Sequence, residues 1–166
     1  MRPDAKEPKR GRSMAAGRIL LTVSAVGQIL GPFIADFNHT HVLNPLWPGH
    51  ARFHNGQTMS MGLGLGLCTI YYTYRARLGA KPSGAQETSD SAERKWNAAL
   101  ASSEKERDDL FTAALFGSLY WITGFSAILY PGSLGVDIEF GEGFPQKWIF
   151  GPLLICAWLG YWIGKR

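Results

Sequence analysis

The sequence has few of the features that mark disulfide-rich proteins, nucleic-acid-binding proteins or the familiar soluble enzymes. It holds two cysteines, Cys68 and Cys156, and both lie inside apolar runs, which excludes a disulfide scaffold. No basic stripe interleaved with aromatic residues is present, so we expect no nucleic-acid partner. The motifs HExxH, GxSxG, CxxC and the Walker loop are absent. Four histidines are also too few for the histidine boxes of membrane di-iron enzymes.

Charge is scarce and unevenly placed. Only 18% of the residues are charged, and charge vanishes from four apolar runs that are long enough, with their flanking residues, to cross a membrane. A soluble four-helix bundle is the alternative, but the third run has no charged face of the kind that a soluble helix needs. The prediction is therefore an all-α integral membrane bundle of four antiparallel helices, with spans at about 19–35, 58–74, 110–130 and 148–163.

The positions of lysine and arginine predict the orientation of this bundle. Fifteen of the 17 lie in the N-terminal tail, in the second loop or at the C-terminus, and by the positive-inside rule these parts face the cytoplasm. We predict a basic cytoplasmic tail at 1–18 and a four-span domain at 19–166, with a histidine-rich lumenal loop at 36–57 and a cytoplasmic linker at 75–109. The membrane is expected to be the endoplasmic reticulum in a eukaryote and the inner membrane in a bacterium.

All four histidines of the chain lie in the predicted lumenal loop. Pro48 suits the first turn of a helix, so the second helix is expected to begin before its apolar run. On that helix His50, His54, Gln57 and Met61 follow a helical period and share one stripe, which we expect to face the bundle. Polar side chains near membrane depth are functional candidates, because they are costly unless they face protein or a water-filled cavity.

A histidine paired with a carboxylate can move a proton to or from a lipophilic substrate. Asp36 ends the first span on the same side of the membrane, so we predict Asp36, His50 and His54 as catalytic residues. The third loop is expected to bring three more acidic residues to this end: Asp137, Glu139 and Glu142. The residues predicted to bind the substrate are His41, Asn44, Trp47, Arg52 and Gln57.

The same residues leave other classes of function open. An HxxxH pair on a helix offers two metal ligands one turn apart, so a mononuclear oxygenase or hydrolase that holds iron or zinc through His50, His54 and Asp36 is one alternative. Another is a non-enzymatic accessory or scaffold protein whose loop binds a further membrane protein. A well-ordered interfacial loop without catalysis would also explain these residues. The leading interpretation needs no cofactor, and its partners are the lipid bilayer and a lipophilic small molecule.

The segment from Asp36 to Gln57 fits the pattern D-x3-TH-x2-NP-x-WP-x-HARFH-x2-Q. This pattern resembles a small, largely uncharacterised family of four-span membrane proteins from fungi and bacteria, over residues 15–166. Some fungal members are associated with secondary-metabolite gene neighbourhoods, so the resemblance implies a terpenoid-like or polyketide-like substrate. In shape the chain is also similar to small membrane sterol isomerases, although no motif matches theirs. The leading hypothesis is a membrane enzyme that isomerises or cyclises a lipophilic biosynthetic intermediate.

Overall fold

The computed structural model describes residues 7–78, 90–136 and 141–166, and the regular secondary structure in these ranges is entirely helical. This confirms the prediction of an all-α fold. The four helices are α1 (Glu7–Asp36), α2 (Gly49–Leu78), α3 (Asp90–Ala127) and α4 (Lys147–Gly164).

The helices form an antiparallel bundle in chain order around a square. Each helix packs against the one before it and the one after it, α4 closes the ring against α1, and α1 and α3 face each other across the diagonal. The C-terminus of α1, the N-terminus of α2, the C-terminus of α3 and the N-terminus of α4 therefore share one end. This end carries the four histidines, and we call it the histidine end.

Three of the helices extend beyond the apolar runs. Helix α1 begins at Glu7, so part of the predicted tail is helical. Helix α2 begins at Gly49, directly after Pro48, as expected for a proline at a helix start. Helix α3 begins at Asp90, which places much of the predicted 75–109 linker inside a helix.

Helix α1 approaches α2 and α4 closely, and glycines make this possible. A β-carbon at Gly66 of α2 would lie 2.8 Å from the Ala25 carbonyl oxygen of α1. A β-carbon at Gly160 of α4 would lie 2.7 Å from the Gly17 carbonyl oxygen. Small residues at such crossings let membrane helices bring their backbones together. Gly31 has the same small-residue spacing on α1, yet it meets nothing within 4 Å and plays no part in these crossings.

The interior of the bundle is polar as well as apolar. The buried Gln28 side chain donates from Nε2 to the Phe116 carbonyl oxygen at 3.0 Å, and its Oε1 accepts from the Thr69 hydroxyl at 3.5 Å. The buried Ser24 hydroxyl donates to a backbone carbonyl of α3 and accepts the indole N–H of Trp121 at 2.9 Å. These bonds join α1 to α2 and to α3, so they fix the relative heights of the three helices.

Two ion pairs join helices at the opposite end of the bundle. Arg18 of α1 pairs with Glu106 of α3, and Arg75 of α2 donates from Nε to Asp109 Oδ1 at 2.8 Å. The Arg18 and Asp109 side chains are almost fully buried. Removing Glu106 or Arg75 would take the ion-pair partner away from a buried charge, which is destabilising. Both pairs therefore hold α3 in place against its neighbours.

The outer surface of the bundle carries many large apolar side chains. The helices over Gly11–Asp36 and Glu93–Ala127 are long and apolar enough to cross a membrane. In the apolar 18-residue stretch of each helix, only 28% and 33%, respectively, is buried inside the bundle. Helices α2 and α4 do not pass the same test over the residues that the structure describes. A core helix of a soluble protein would be mostly buried. The exposed side chains of α1 and α3 include Ile19, Leu30, Leu115, Leu119 and Ile122.

A pair of alanine substitutions on α2 tests the close crossing with α1. We expect Gly66→Ala to destabilise the bundle by about 1–3 kcal/mol, because the new methyl group would overlap α1. Gly64→Ala is the matched control, since a β-carbon there meets nothing within 4 Å and alanine favours a helix over glycine. Thermal unfolding in detergent measures both variants, and equal midpoints would contradict the crossing.

Candidate functional site

The histidine end holds two separate groups of polar side chains and one cavity. The first group belongs to the loop at 37–48 and to the helix residues that contact it. The second group lies on the first turns of α2. The cavity opens beside α2 and α3, and its α2 wall begins one turn after the second group.

Loop 37–48 is folded largely by its own side chains. Asn38 Oδ1 accepts hydrogen bonds from the Thr40 N–H at 2.8 Å and from the Thr40 hydroxyl at 2.6 Å, and its amide donates to the Ala35 carbonyl oxygen. The Thr40 hydroxyl also lies 2.8 Å from His41 Nδ1. The His41 ring packs edge-on against Trp47 with 5.0 Å between centroids. His41 and Trp47, predicted to bind substrate, thus both have structural contacts in the loop.

Arg52 ties this loop to α2. Its Nη2 donates to the Asn44 carbonyl oxygen at 2.6 Å, and Asn44 Oδ1 in turn accepts the Leu46 N–H at 2.9 Å. Arg52 and Asn44 were also predicted to bind substrate. Each of them makes contacts inside the protein that hold the loop against the start of α2.

Asp36 lies beyond the first apolar run, at the end of α1, where its Oδ1 is 4.0 Å from His41 Nε2. Partial burial raises the pKa of the Asp36 carboxyl above its usual value, and the nearby His41 acts in the opposite direction. The prediction that Asp36 orients His50 or His54 is not met, because the ion pair of Asp36 is with His41 and those two histidines contact each other.

His50 and His54 form a pair that we call the histidine dyad. Their Nε2 atoms are 3.0 Å apart, and the rings are nearly perpendicular, at 83°. His54 Nδ1 lies 3.3 Å from Gln57 Oε1. An amide oxygen can only accept, so His54 donates its Nδ1–H to Gln57, and the bare Nε2 of His54 accepts the Nε2–H of His50. Gln57, predicted to hold a substrate oxygen, instead orients His54.

The dyad is exposed, so the prediction that its stripe faces the bundle is wrong. His50, His54 and Gln57 are all exposed side chains. The first turns of α2 are covered on their other side only: Arg52, Asn55 and Gly56 are half-buried, whereas the side that carries the dyad faces outward. A shared face was a correct inference from the spacing, but the neighbouring helices do not reach that face.

A cavity of about 320 Å³ lies between α2, α3, α4 and the loop that joins α3 to α4. Thr58 and Met61 form its α2 wall, one and two turns after His54 on the same face of the helix. The Thr58 hydroxyl donates to the His54 carbonyl oxygen at 3.1 Å. The remaining walls are mostly apolar with a few hydroxyl groups: Tyr120, Thr123, Gly124, Ala127, Ile128, Ser133, Leu134, Gly135, Phe144, Gln146 and Phe150.

Tyr120 is a site residue that the sequence reasoning missed. Its phenol ring lines the cavity and lies against the backbone of Gly62, where a β-carbon would be 3.3 Å from the ring. The available signal was its place in the third apolar run, well away from the ends where an interfacial tyrosine would lie.

The structure does not complete the predicted metal site. Among the described residues, no group of three or more His, Cys, Asp or Glu side chains could hold a metal ion. Asp36 belongs to the His41 pair and supplies no third ligand to the dyad. Of the three acidic residues expected from the third loop, Asp137 and Glu139 lie outside the described residues, and Glu142 is exposed.

Comparison with known protein families gives a match to part of the chain. Residues 20–100 match the model of a family of unknown function, DUF6640, so the chain is similar to an uncharacterised family over this range. The range includes α1 from Leu20 onward, loop 37–48, the dyad and all of α2, whereas the α3 and α4 walls of the cavity lie outside it. No curated protein and no solved structure matches the chain.

The pKa of Asp36 predicts an effect on stability. A carboxyl with a raised pKa in the folded state contributes stability that is present below its unfolded pKa and is lost as the pH rises through the folded value. We therefore expect Asp36→Asn to be more stable than the wild type at pH 7, with the difference shrinking toward pH 4. Asp108→Asn, which removes an exposed carboxylate from α3, is the control. A less stable Asp36→Asn protein at pH 7 would show that the His41 pair dominates.

Proposed function

We propose that this protein is a multi-pass membrane enzyme that moves a proton on a lipophilic substrate bound in the cavity. The observation that carries the proposal is the stripe on α2: the histidine dyad at its exposed end continues through Thr58 and Met61 into the cavity wall. An acid–base pair and a substrate-sized space therefore lie along one face of one helix.

The membrane part of the proposal rests on where polar and apolar side chains lie, which differs from the usual distribution in a soluble protein. The bundle buries serine, threonine and glutamine and exposes leucine, isoleucine and valine, which suits a hydrocarbon surrounding better than water. Helix α2 is rich in glycine and tyrosine and α4 in glycine and tryptophan, residues that add little to a hydropathy average yet are common in membrane helices. We place all four helices across the membrane, with both termini in the cytoplasm.

The substrate class follows from the walls and the opening of the cavity. Its volume is at the small end of the range for ligand pockets, and it suits a molecule with an apolar body. Several lining residues are exposed on the face between α2 and α3, including Met61, Thr123 and Leu134. In a bilayer this face would contact lipid, so a lipophilic molecule could enter from the side. A terpenoid-like or polyketide-like intermediate has these properties.

The proposed reaction is an isomerisation or a cyclisation. In an isomerisation, one group takes a proton from a substrate carbon and a proton is returned to another carbon, so the substrate gains and loses no atoms. His54 lies one turn from the cavity and is the proposed acid–base group, with His50 sharing its proton and Gln57 orienting its ring. Such a group commonly contributes a factor of about 10² to 10⁴ in rate. Tyr120 would hold a substrate oxygen.

Labelling of single cysteines tests the topology. In a background with Cys68 and Cys156 replaced, we introduce Ser102→Cys on the exposed start of α3 and Leu46→Cys in loop 37–48, where the side chain is 89% exposed. A membrane-impermeant maleimide applied to sealed right-side-out vesicles should label Leu46→Cys and spare Ser102→Cys. Labelling of both positions from the same side would contradict the proposed arrangement.

Hydrogen exchange into carbon positions tests the reaction. We would incubate the metal-free protein in nanodiscs with a panel of unsaturated terpenoid and polyketide ketones in deuterium oxide, and follow deuterium incorporation by mass spectrometry. Wild-type protein should label at least one compound, and His54→Ala should lower that rate by about 10²-fold or more.

The matched control is His39→Ala, since His39 is exposed in loop 37–48 at the same end of the bundle and lies outside the dyad. We expect it to label the substrate at the wild-type rate. A folded His54→Ala protein that labels as fast as the wild type would overturn the assignment of the dyad as the acid–base group.

A further inference from the structure

We infer that the histidine dyad is a binding site for a single copper(II) ion, held by the Nε2 atoms of His50 and His54. This inference depends on the geometry of the two rings and not on the proposed reaction. It also differs from the metal site expected from the sequence, because it uses two protein ligands and leaves Asp36 with His41.

The distance between the two nitrogens is short enough for both to bind one ion. Imidazole nitrogens bind first-row metals at about 2.0–2.1 Å. Two nitrogens 3.0 Å apart that each lie at that distance from a common ion subtend an angle of about 90–100° at the ion. This is close to the angle between neighbouring ligands in a square-planar or tetragonal complex, the geometry that copper(II) prefers.

The rings are held in place before any ion binds. Gln57 Oε1 accepts the Nδ1–H of His54, which leaves the His54 Nε2 lone pair directed at the site. Phe53 packs against both imidazoles, stacked on His50 at 6.4 Å and edge-on to His54 at 5.4 Å between centroids. The proton between the two nitrogens belongs to His50 Nε2. When this proton moves to His50 Nδ1, an ion can take its place between the two Nε2 atoms.

The exposure of the dyad also favours such a site. Both histidines are exposed on the first turns of α2, so an ion can reach them from water. Water molecules can occupy the remaining coordination positions, and the protein need supply no further ligand. Copper(II) has the highest affinity among the divalent first-row metals for a given nitrogen site.

The test is a copper(II) titration of tag-free protein in nanodiscs, followed by electron paramagnetic resonance. We expect one copper ion per chain, with a spectrum that shows coupling to two imidazole nitrogens. His50→Ala and His54→Ala should each remove one nitrogen from the spectrum and weaken binding at least about tenfold. Gln57→Leu should keep both nitrogens and weaken binding less, because it removes only the group that orients His54.

His39→Ala is the control for loss of an exposed histidine outside the dyad, and it should leave the affinity and the spectrum unchanged. The inference is overturned if His39→Ala weakens binding as much as the dyad variants do. It is also overturned if wild-type protein binds no copper, or binds it with fewer than two nitrogens. Because the exchange experiment above uses metal-free protein, failure of the proposed reaction and failure of this site give separate results.

Discussion

The close contact of α1 with α2 and α4 is the constraint on which the rest of the structure depends. Because Gly66 and Gly160 carry no β-carbon, the backbone of α1 lies directly against both neighbours. At that spacing Ser24 and Gln28 reach across the interior to carbonyl groups of α3. The same packing sets the height of α1, so its last residue lies at the histidine end and loop 37–48 can fold back onto α2.

With the proposed membrane placement, the polar interior and the apolar exterior have one physical explanation. In hydrocarbon the hydrophobic effect does not press helices together, so close packing and hydrogen bonds between helices must hold them. The bundle shows both, with glycine crossings around α1 and buried hydroxyl and amide groups bonded between helices. At the far end, Arg18 and Arg75 pair with acidic residues of α3. The cavity forms on the opposite side from α1, where α2 and α3 meet with larger side chains.

Much of the fold could be predicted from the sequence, because helix formation depends on local patterns. Uncharged runs indicated four helices, and Pro48 indicated where α2 begins. The start of α1 was harder to predict, since its polar extension is helical without being apolar. The partners of charged residues were harder still. Asp109 lies four residues after Lys105 on one helix, yet its partner is Arg75 on another, and local spacing cannot show such a contact.

The site was predicted in part for the same reason. The period of α2 correctly placed His50, His54 and Gln57 on one face, and their mutual contacts follow from that spacing. Periodicity does not show which faces a neighbouring helix covers, so the exposure of the dyad was missed. It also cannot join residues that are distant in the chain. Met61 of α2 and Tyr120 of α3 line one cavity only through the packing of the bundle.

The claim that the apolar exterior faces lipid is tested most directly by the accessibility of spin labels in liposomes. Labels at Leu30, Leu115 and Ile122, whose side chains point outward, should collide more with oxygen than with a water-soluble nickel complex. Labels replacing Ser24 or Ser118, which are buried, should collide little with either reagent. If the nickel complex reaches the three outward positions more readily than oxygen does, the exterior faces water and the membrane account is wrong.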